Sequence, residues 1–358
     1  MAIDTLDTRG AAASGRKTEE IIISADSHIM EPEDLWQKRV PAELRDQAPV
    51  YKRQTRGSMP EHPGGSDPKE RMKEMETDGV SAEVLYPTLG LRLFGLDDAR
   101  LQEACFQVFN DWLIEYCQVA PERLLGVACI SMYNVDNAIK ELERCKREKL
   151  AGALIWQAPH ADLPFYSDHY ERFWSAAEEM DMPISLHILT GHNYSKNGPE
   201  GRAGVESYRG SVNYKLFDAV NALFELTFYG ILHRHPNLKF VIVENEIGWL
   251  PFVLQQWDYY YRRFKDVNPP PIDRLPSEYF YRQVYATFFN DAVGGHNFSW
   301  WGVDNCMWSN DYPHPNSTWP DSLKVIERDL GHLPAADKAK LVRENVVKLY
   351  NMRLPIPV

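Results

Sequence analysis

The sequence predicts an α/β protein folded as a (β/α)8 barrel of the TIM type, and three observations predict it. Eight short apolar runs rich in Val, Ile and Leu recur along the 358 residues. Amphipathic stretches with apolar residues at spacings of three and four separate them, the pattern of strands alternating with helices around a buried parallel sheet. Acidic and imidazole side chains fall at the C-terminal ends of several runs, where a parallel barrel gathers its functional groups.

In order, the runs are IIISAD (21–26), SAEVLYP (81–87), LLGVACI (124–130), AGALIW (151–156), PISLHIL (183–189), LKFVIVE (238–244), QVYATFF (283–289) and NCMWSND (305–311). The helical patterns between them include PKERMKEMETDG, NVDNAIKELERCKRE, YERFWSAAEEMD and one long helix over YKLFDAVNALFELTFYGILHRHP, several ending near Gly or Pro. Segments 37–67, 190–212 and 268–276 break the rhythm with Pro, Gly and polar residues, and read as active-face loops. The first 20 residues lack the apolar core of a secretory signal. They read as a disordered start before a single domain over 21–358.

Composition narrows the function. A net charge of −12 leaves no basic footprint for nucleic acid. No stretch is apolar for long enough to cross a membrane. The five cysteines form no C-x-x-C pair, which fits free thiols in a reducing, cytoplasmic compartment.

The polar residues inside apolar runs carry the chemistry: Asp26 and His28 at the end of run one, His187 in run five, Glu244 ending run six and Asp311 ending run eight. Charge on an apolar strand is costly unless it is paired or metal-bound, so a shared cation accounts for all five. Residues two apart on a strand point to one side, so Asp26 and His28 can face one centre. A lone D-x-H reads equally as a hydrogen-bonded loop histidine, and a lone His187 as a satisfied core histidine. Their joint occurrence points to the ion. Three carboxylates with two imidazoles suit Mn or Fe at least as well as Zn. His192 and His314, on active-face loops, and Glu31 and Glu33 provide donors for a second ion, although E-P-E-D also reads as the acidic first turn of a helix. Trp308 and Trp319 flank Asp311 and, with His192, are candidates for a substrate wall. The aromatic-rich stretch 248–264, with Trp249, Phe252, Trp257, Tyr259, Tyr260 and Tyr261, reads as a subunit contact in a homo- or hetero-oligomer. His233 and His235 read as structural.

The segments SADSHIMEPEDLW, PISLHIL, HPNLKFVIVENEIGWLPF and WSNDYPHPNSTWP resemble, in this order, the signature segments of the amidohydrolase-related family that includes aminocarboxymuconate semialdehyde decarboxylase and the resorcylate-type decarboxylases. The resemblance spans residues 21–320 and implies a distorted barrel with one divalent metal at its mouth. It places the family's metal positions on Asp26, His28, His187 and Asp311, gives Asp311 a proton-transfer role as well, and matches Tyr312, Pro313 and His314 to the family's DYPH. Where many members carry a histidine after strand six, this chain reads VENEIGW, offering Glu244, Asn245 and Glu246.

Three functions are open to such a chain. The first is a metal-dependent lyase or hydrolase acting on a small carboxylated or amide-like substrate, with Asp311, Glu244 and His314 as catalytic groups. The second is a dinuclear Fe or Mn/Fe oxygenase on the same scaffold, favoured by the carboxylate-rich set that includes Glu244. The third is a non-catalytic partner subunit of a hetero-oligomer.

Overall fold

The computed structural model describes residues 21–51, 62–193 and 204–353. The expected disordered segment 1–20 and parts of two of the long loops fall outside them. Eight strands, β1 (Ile23–Ile29), β2 (Ala82–Pro87), β3 (Leu124–Cys129), β4 (Gly152–Ile155), β5 (Ile184–His187), β6 (Phe240–Val243), β7 (Val284–Phe288) and β8 (Cys306–Trp308), pair in sequence order. Every neighbouring pair is parallel. Each of the eight apolar runs holds one strand, β1 running three residues past its run to Ile29, and every strand residue is buried, as expected for a sheet covered by helices on its outer face.

The principal helices fill the crossovers: α1 (Pro68–Asp78), α2 (Ala99–Cys117), α3 (Val135–Arg147), α4 (Glu171–Glu179), α5 (Lys215–Phe228), α6 (Leu250–Phe264), α7 (Ala292–Trp301) and α8 (Ser322–Leu330). Several start where a side chain meets the free amides of the first turn, as Asp67 does for Lys69, Asp98 for Leu101 and Asn134 for Asn137. The long helix expected after β5 is interrupted. A π-helical turn at Gly210–Tyr214 precedes α5, and Gly230, at φ 77°, ends it before a separate short helix, Ile231–Arg234. Only glycine takes that backbone cheaply, so the periodicity runs on through a break it does not register. His235 then lies within 3.3 Å of Glu171 and 3.5 Å of Glu178, and His233 bonds the Tyr279 hydroxyl at 3.0 Å, both away from the mouth.

The seam between β8 and β1 closes beyond the end of β8. The Asp311 amide donates to the Asp26 carbonyl at 3.1 Å, and the His28 amide to the Tyr312 carbonyl at 2.6 Å. Asn310 Oδ1 accepts from the Ser24 and Ser27 hydroxyls at 2.9 and 2.7 Å. The contacts that complete the barrel therefore also hold the segments of Asp26 and Asp311 together.

Candidate metal centre at the barrel mouth

Asp26 and His28, two apart on β1, converge on one centre, and the β1–β2 register slips by one residue between Ser24 and Ser27. His28 Nε2 lies 3.5 Å from Asp26 Oδ1, 3.6 Å from Asp311 Oδ1 and 3.8 Å from Glu244 Oε2. His187 Nε2 lies 3.7 Å from Asp26 Oδ1 and 3.4 Å from Glu244 Oε2. The two imidazole Nε2 atoms are 3.3 Å apart. Glu244 and Asp311 follow their strands with φ of 58° and 53°. Non-glycine residues rarely adopt that region, and here it accompanies the turn of each side chain toward the centre.

Hydrogen bonding fixes the tautomers. His28 Nδ1 donates to the Pro87 carbonyl at 2.7 Å, and His187 Nδ1 donates to the Ile188 carbonyl at 2.6 Å. A carbonyl only accepts, so each neutral ring turns the lone pair of Nε2 toward the other ring and the carboxylates, the arrangement of metal-ligating histidines. Both oxygens of Asp26 and Oδ2 of Asp311 are buried without a hydrogen-bond partner. Unpaired buried carboxylate oxygens beside two imidazole lone pairs are costly unless a cation joins them. Donor atoms of Asp26, His28, His187 and Glu244 lie within 4.8 Å of one another, and so do those of His28, Glu244, Asp311 and His314, a spacing that fits ligands about an ion.

The charges are strongly perturbed. Burial and the neighbouring His314 bring His28 down to about 4. Burial and the charge of Glu244 raise Asp311 to about 7. Burial alone would lower His314, yet Asp311, bonded to its Nδ1 at 2.8 Å, holds it up at about 9. Burial opposes ionisation of Glu244, but the adjacent His28 and the charges of Lys215 and His187 keep it well below the usual carboxylate range. Lys215 Nζ, at the start of α5, is 3.7 Å from Glu244 Oε1. No motif marks this lysine in the sequence, because it follows a loop without regular pattern.

Several other expected site residues have partners outside the central group. His192 Nε2 meets Asp97 at 2.8 Å and groups with Asp97 and His160. Trp319 packs its ring against His62 and Tyr312 and donates to the Glu74 carbonyl at 3.1 Å. Trp308 is wholly buried in β8. Glu31 does not serve as the acidic first turn of its own helix. Its buried carboxylate accepts the Leu89 and Gly90 amides at 2.9 and 3.0 Å, fixing the turn after β2. Glu246 accepts the Phe289 amide at 3.3 Å, and burial with nearby Asp291 raises it to about 8.

A parallel barrel with a buried cluster of imidazoles and carboxylates at the C-terminal ends of β1, β5, β6 and β8 defines a metal-dependent barrel enzyme. The family profile described as Amidohydrolase matches residues 32–352, and the chain belongs to that family. It is 26% identical over 311 residues to gamma-resorcylate decarboxylase of Rhizobium sp. (strain MTP-10005), covering 79% of this chain and 86% of that one. Among solved structures, an amidohydrolase from Mycobacterium avium subsp. paratuberculosis superposes with a TM-score of 0.78 at 16% identity, covering 93% of this chain and 100% of the other. A 5-carboxyvanillate decarboxylase from Novosphingobium aromaticivorans, with bound manganese and 3-methoxy-4-hydroxy-5-nitrobenzoic acid, superposes with a TM-score of 0.73 at 18% identity, covering 94% and 99%. No helix among the described residues is long and apolar enough to cross a membrane.

Proposed function

We propose that this barrel decarboxylates a small carboxylated aromatic substrate, with one divalent cation, Mn by preference, held by Asp26, His28, His187 and Asp311 and flanked by Glu244. The observation that carries the reading is the buried, partnerless carboxylate of Asp26 facing two histidines whose Nδ1 protons are committed to carbonyls. The resorcylate decarboxylase relative and the manganese in the carboxyvanillate decarboxylase support the choice of substrate class and ion. When bound, the cation polarises the oxygens of the substrate and offsets charge that develops on them.

The protein's own groups do the rest. Asp311 stands at the mouth to take up a proton and deliver it to the ring carbon from which CO2 departs. The C–C bond pair returns to that carbon and forms the new C–H bond, so one proton is consumed for each CO2 released. His314, bonded to Asp311 and to Thr88 Oγ1 at 3.2 Å, orients the carboxyl group and reloads it. Glu244, whose Oε1 lies 3.7 Å from Lys215 Nζ, falls in the VENEIGW segment after β6, where the family resemblance places a histidine in many members.

A second reading has its own observation: the donors form two overlapping sets that share His28 and Glu244. Two redox-active ions bridged by Glu244 would support oxygen chemistry. The filled ligand positions argue against a non-catalytic subunit. Free buried cysteines accord with a reducing cytoplasm. The exposed Phe252, Tyr259 and Tyr260 of α6 accord with an oligomer.

Elemental analysis of the native protein, with CO2 release and oxygen consumption measured on 2,6-dihydroxybenzoate and 5-carboxyvanillate, separates the readings. One Mn or Zn at the centre with metal-dependent CO2 release supports decarboxylation. Two Fe or Mn/Fe ions with oxygen uptake supports the second reading. Protein purified without metal and unable to bind it overturns both.

A further inference from the structure

Apart from the central group, a second set of metal-ligating side chains gathers on the loops after β2, β4 and β5. Donor atoms of Asp97, His160 and His192 lie within 4.8 Å of one another. The His160 and His192 rings stand edge to face with centroids 4.3 Å apart, and His192 Nε2 meets Asp97 Oδ1 at 2.8 Å. None of the three belongs to the central group.

The loops that present them are fixed independently of any ion. Trp156 Nε1 donates to the Phe94 carbonyl at 2.8 Å, and the Tyr133 hydroxyl donates to the Leu96 carbonyl at 2.8 Å, which ties the Asp97 loop to the neighbouring strand ends. The Gln157 amide donates to Thr190 Oγ1 at 2.8 Å and the His192 amide to the Ala158 carbonyl at 2.9 Å, which ties the His160 loop to the His192 loop. Donors held by tethers outside the set lose little freedom on binding. His192 is buried, whereas the Asp97 side chain is 78% exposed, so the set is closed on one side and open to water on the other.

We propose that Asp97, His160 and His192 form a peripheral site for a nitrogen-seeking divalent cation of the Zn2+ type, which clamps three mouth loops together. Two imidazoles and one carboxylate match the donor chemistry of zinc, with water completing the coordination. Mg2+ and Ca2+ prefer all-oxygen sets and are poor occupants. His160 Nδ1 accepts the Asp162 amide at 3.1 Å, and a cation either displaces that bond or binds a turned ring. Binding to imidazole offsets that loss for zinc and not for magnesium. The site does not depend on the decarboxylase reading.

The test is calorimetric titration of Zn2+ into chelator-stripped, full-length protein, with Co2+ absorption as a second readout. The parent should bind one equivalent more than Asp97→Asn/His160→Gln and than Asp97→Asn alone, a surface substitution that leaves the fold intact. Both variants should lose the associated Co2+ bands. His28→Gln should keep the peripheral equivalent while the central one is lost. Equal stoichiometry and equal Co2+ spectra in the parent and both Asp97 variants would overturn the proposal and leave the central site standing. Loss of the central equivalent from the parent, with the Asp97-dependent one retained, would sink the central reading alone.

Discussion

Two groups of buried charge share His28, and they are built in opposite ways. Its side chain belongs to the mouth, where Asp26 holds two carboxylate oxygens with no donor. Its carbonyl belongs to a network behind the strand, where Arg71 Nη1 donates to it at 2.7 Å and Arg71 Nε meets Glu83 at 2.5 Å. In that network each oxygen of Glu83 and Asp78 has a donor, from Arg71, Asn310 or Ser322. Arg71 Nη2 has no hydrogen-bond partner, and the guanidinium lies over the Tyr312 ring, 4.2 Å from its centroid. Carboxylates that the protein's own donors satisfy serve the fold. Carboxylate oxygens left without a donor at the same depth, beside two imidazole lone pairs, point to a cation from outside.

The largest effects should come from breaking the mouth. His28→Ala or His187→Ala should remove the central metal and reduce turnover to background, because water replaces an imidazole ligand poorly; elemental analysis and CO2 release check this together. Asp311→Asn should lower kcat by about 10²–10⁴ through loss of the proton donor. Metal analysis and kinetics on the same preparation separate that effect from loss of the ion.

The paired network should respond in stability instead. Arg71→Met leaves Glu83 buried without its cation and should cost about 3–5 kcal/mol, whereas Arg71→Met/Glu83→Leu should recover most of it, since a buried pair removed whole is often nearly neutral. Urea unfolding of both variants measures the difference. Equal losses in the two would erase the contrast between the regions.

Glu244→Gln gives a smaller and more diagnostic effect. If Glu244 bridges two ions, one metal is lost and oxygen chemistry stops. If it only orients the histidines, the metal count stays and activity falls by about 10–100-fold. The smallest effect is on pH. In the proposed reaction Asp311 acts protonated, so activity should be present below its pKa and lost as pH rises through it. The negative charge of Glu244 helps raise that pKa to about 7, so Glu244→Gln should move the alkaline limb of kcat/KM to lower pH. A bound cation moves the limb in the same direction, because it favours the carboxylate.

The sequence was most legible where burial is continuous. Each predicted run holds a strand, with only β1 running past its run, because a parallel sheet covered on its outer face needs unbroken apolar segments, and polar exceptions such as Asp26, His187 and Glu244 stand out against them. It was least legible where geometry depends on one backbone torsion or one long-range partner. The helix over 214–236 reads as continuous until Gly230 turns left-handed. Glu31 looks like a first-turn carboxylate until the amides of residues 88–90 claim it. The register slip between Ser24 and Ser27, the approach of Lys215 to Glu244 and the meeting of Asp97 with His192 have no period to betray them.

The central claim is that the partnerless carboxylate of Asp26 and the two carbonyl-locked histidines are the cradle of an ion. Anomalous scattering at the manganese edge from crystals grown with Mn2+ tests it most directly. The account predicts a peak bonded to Asp26, His28, His187 and Asp311, with Glu244 in contact with the ion or with these ligands. A map in which any two of those four side chains point away from the ion, or in which the mouth carries no peak, would contradict it.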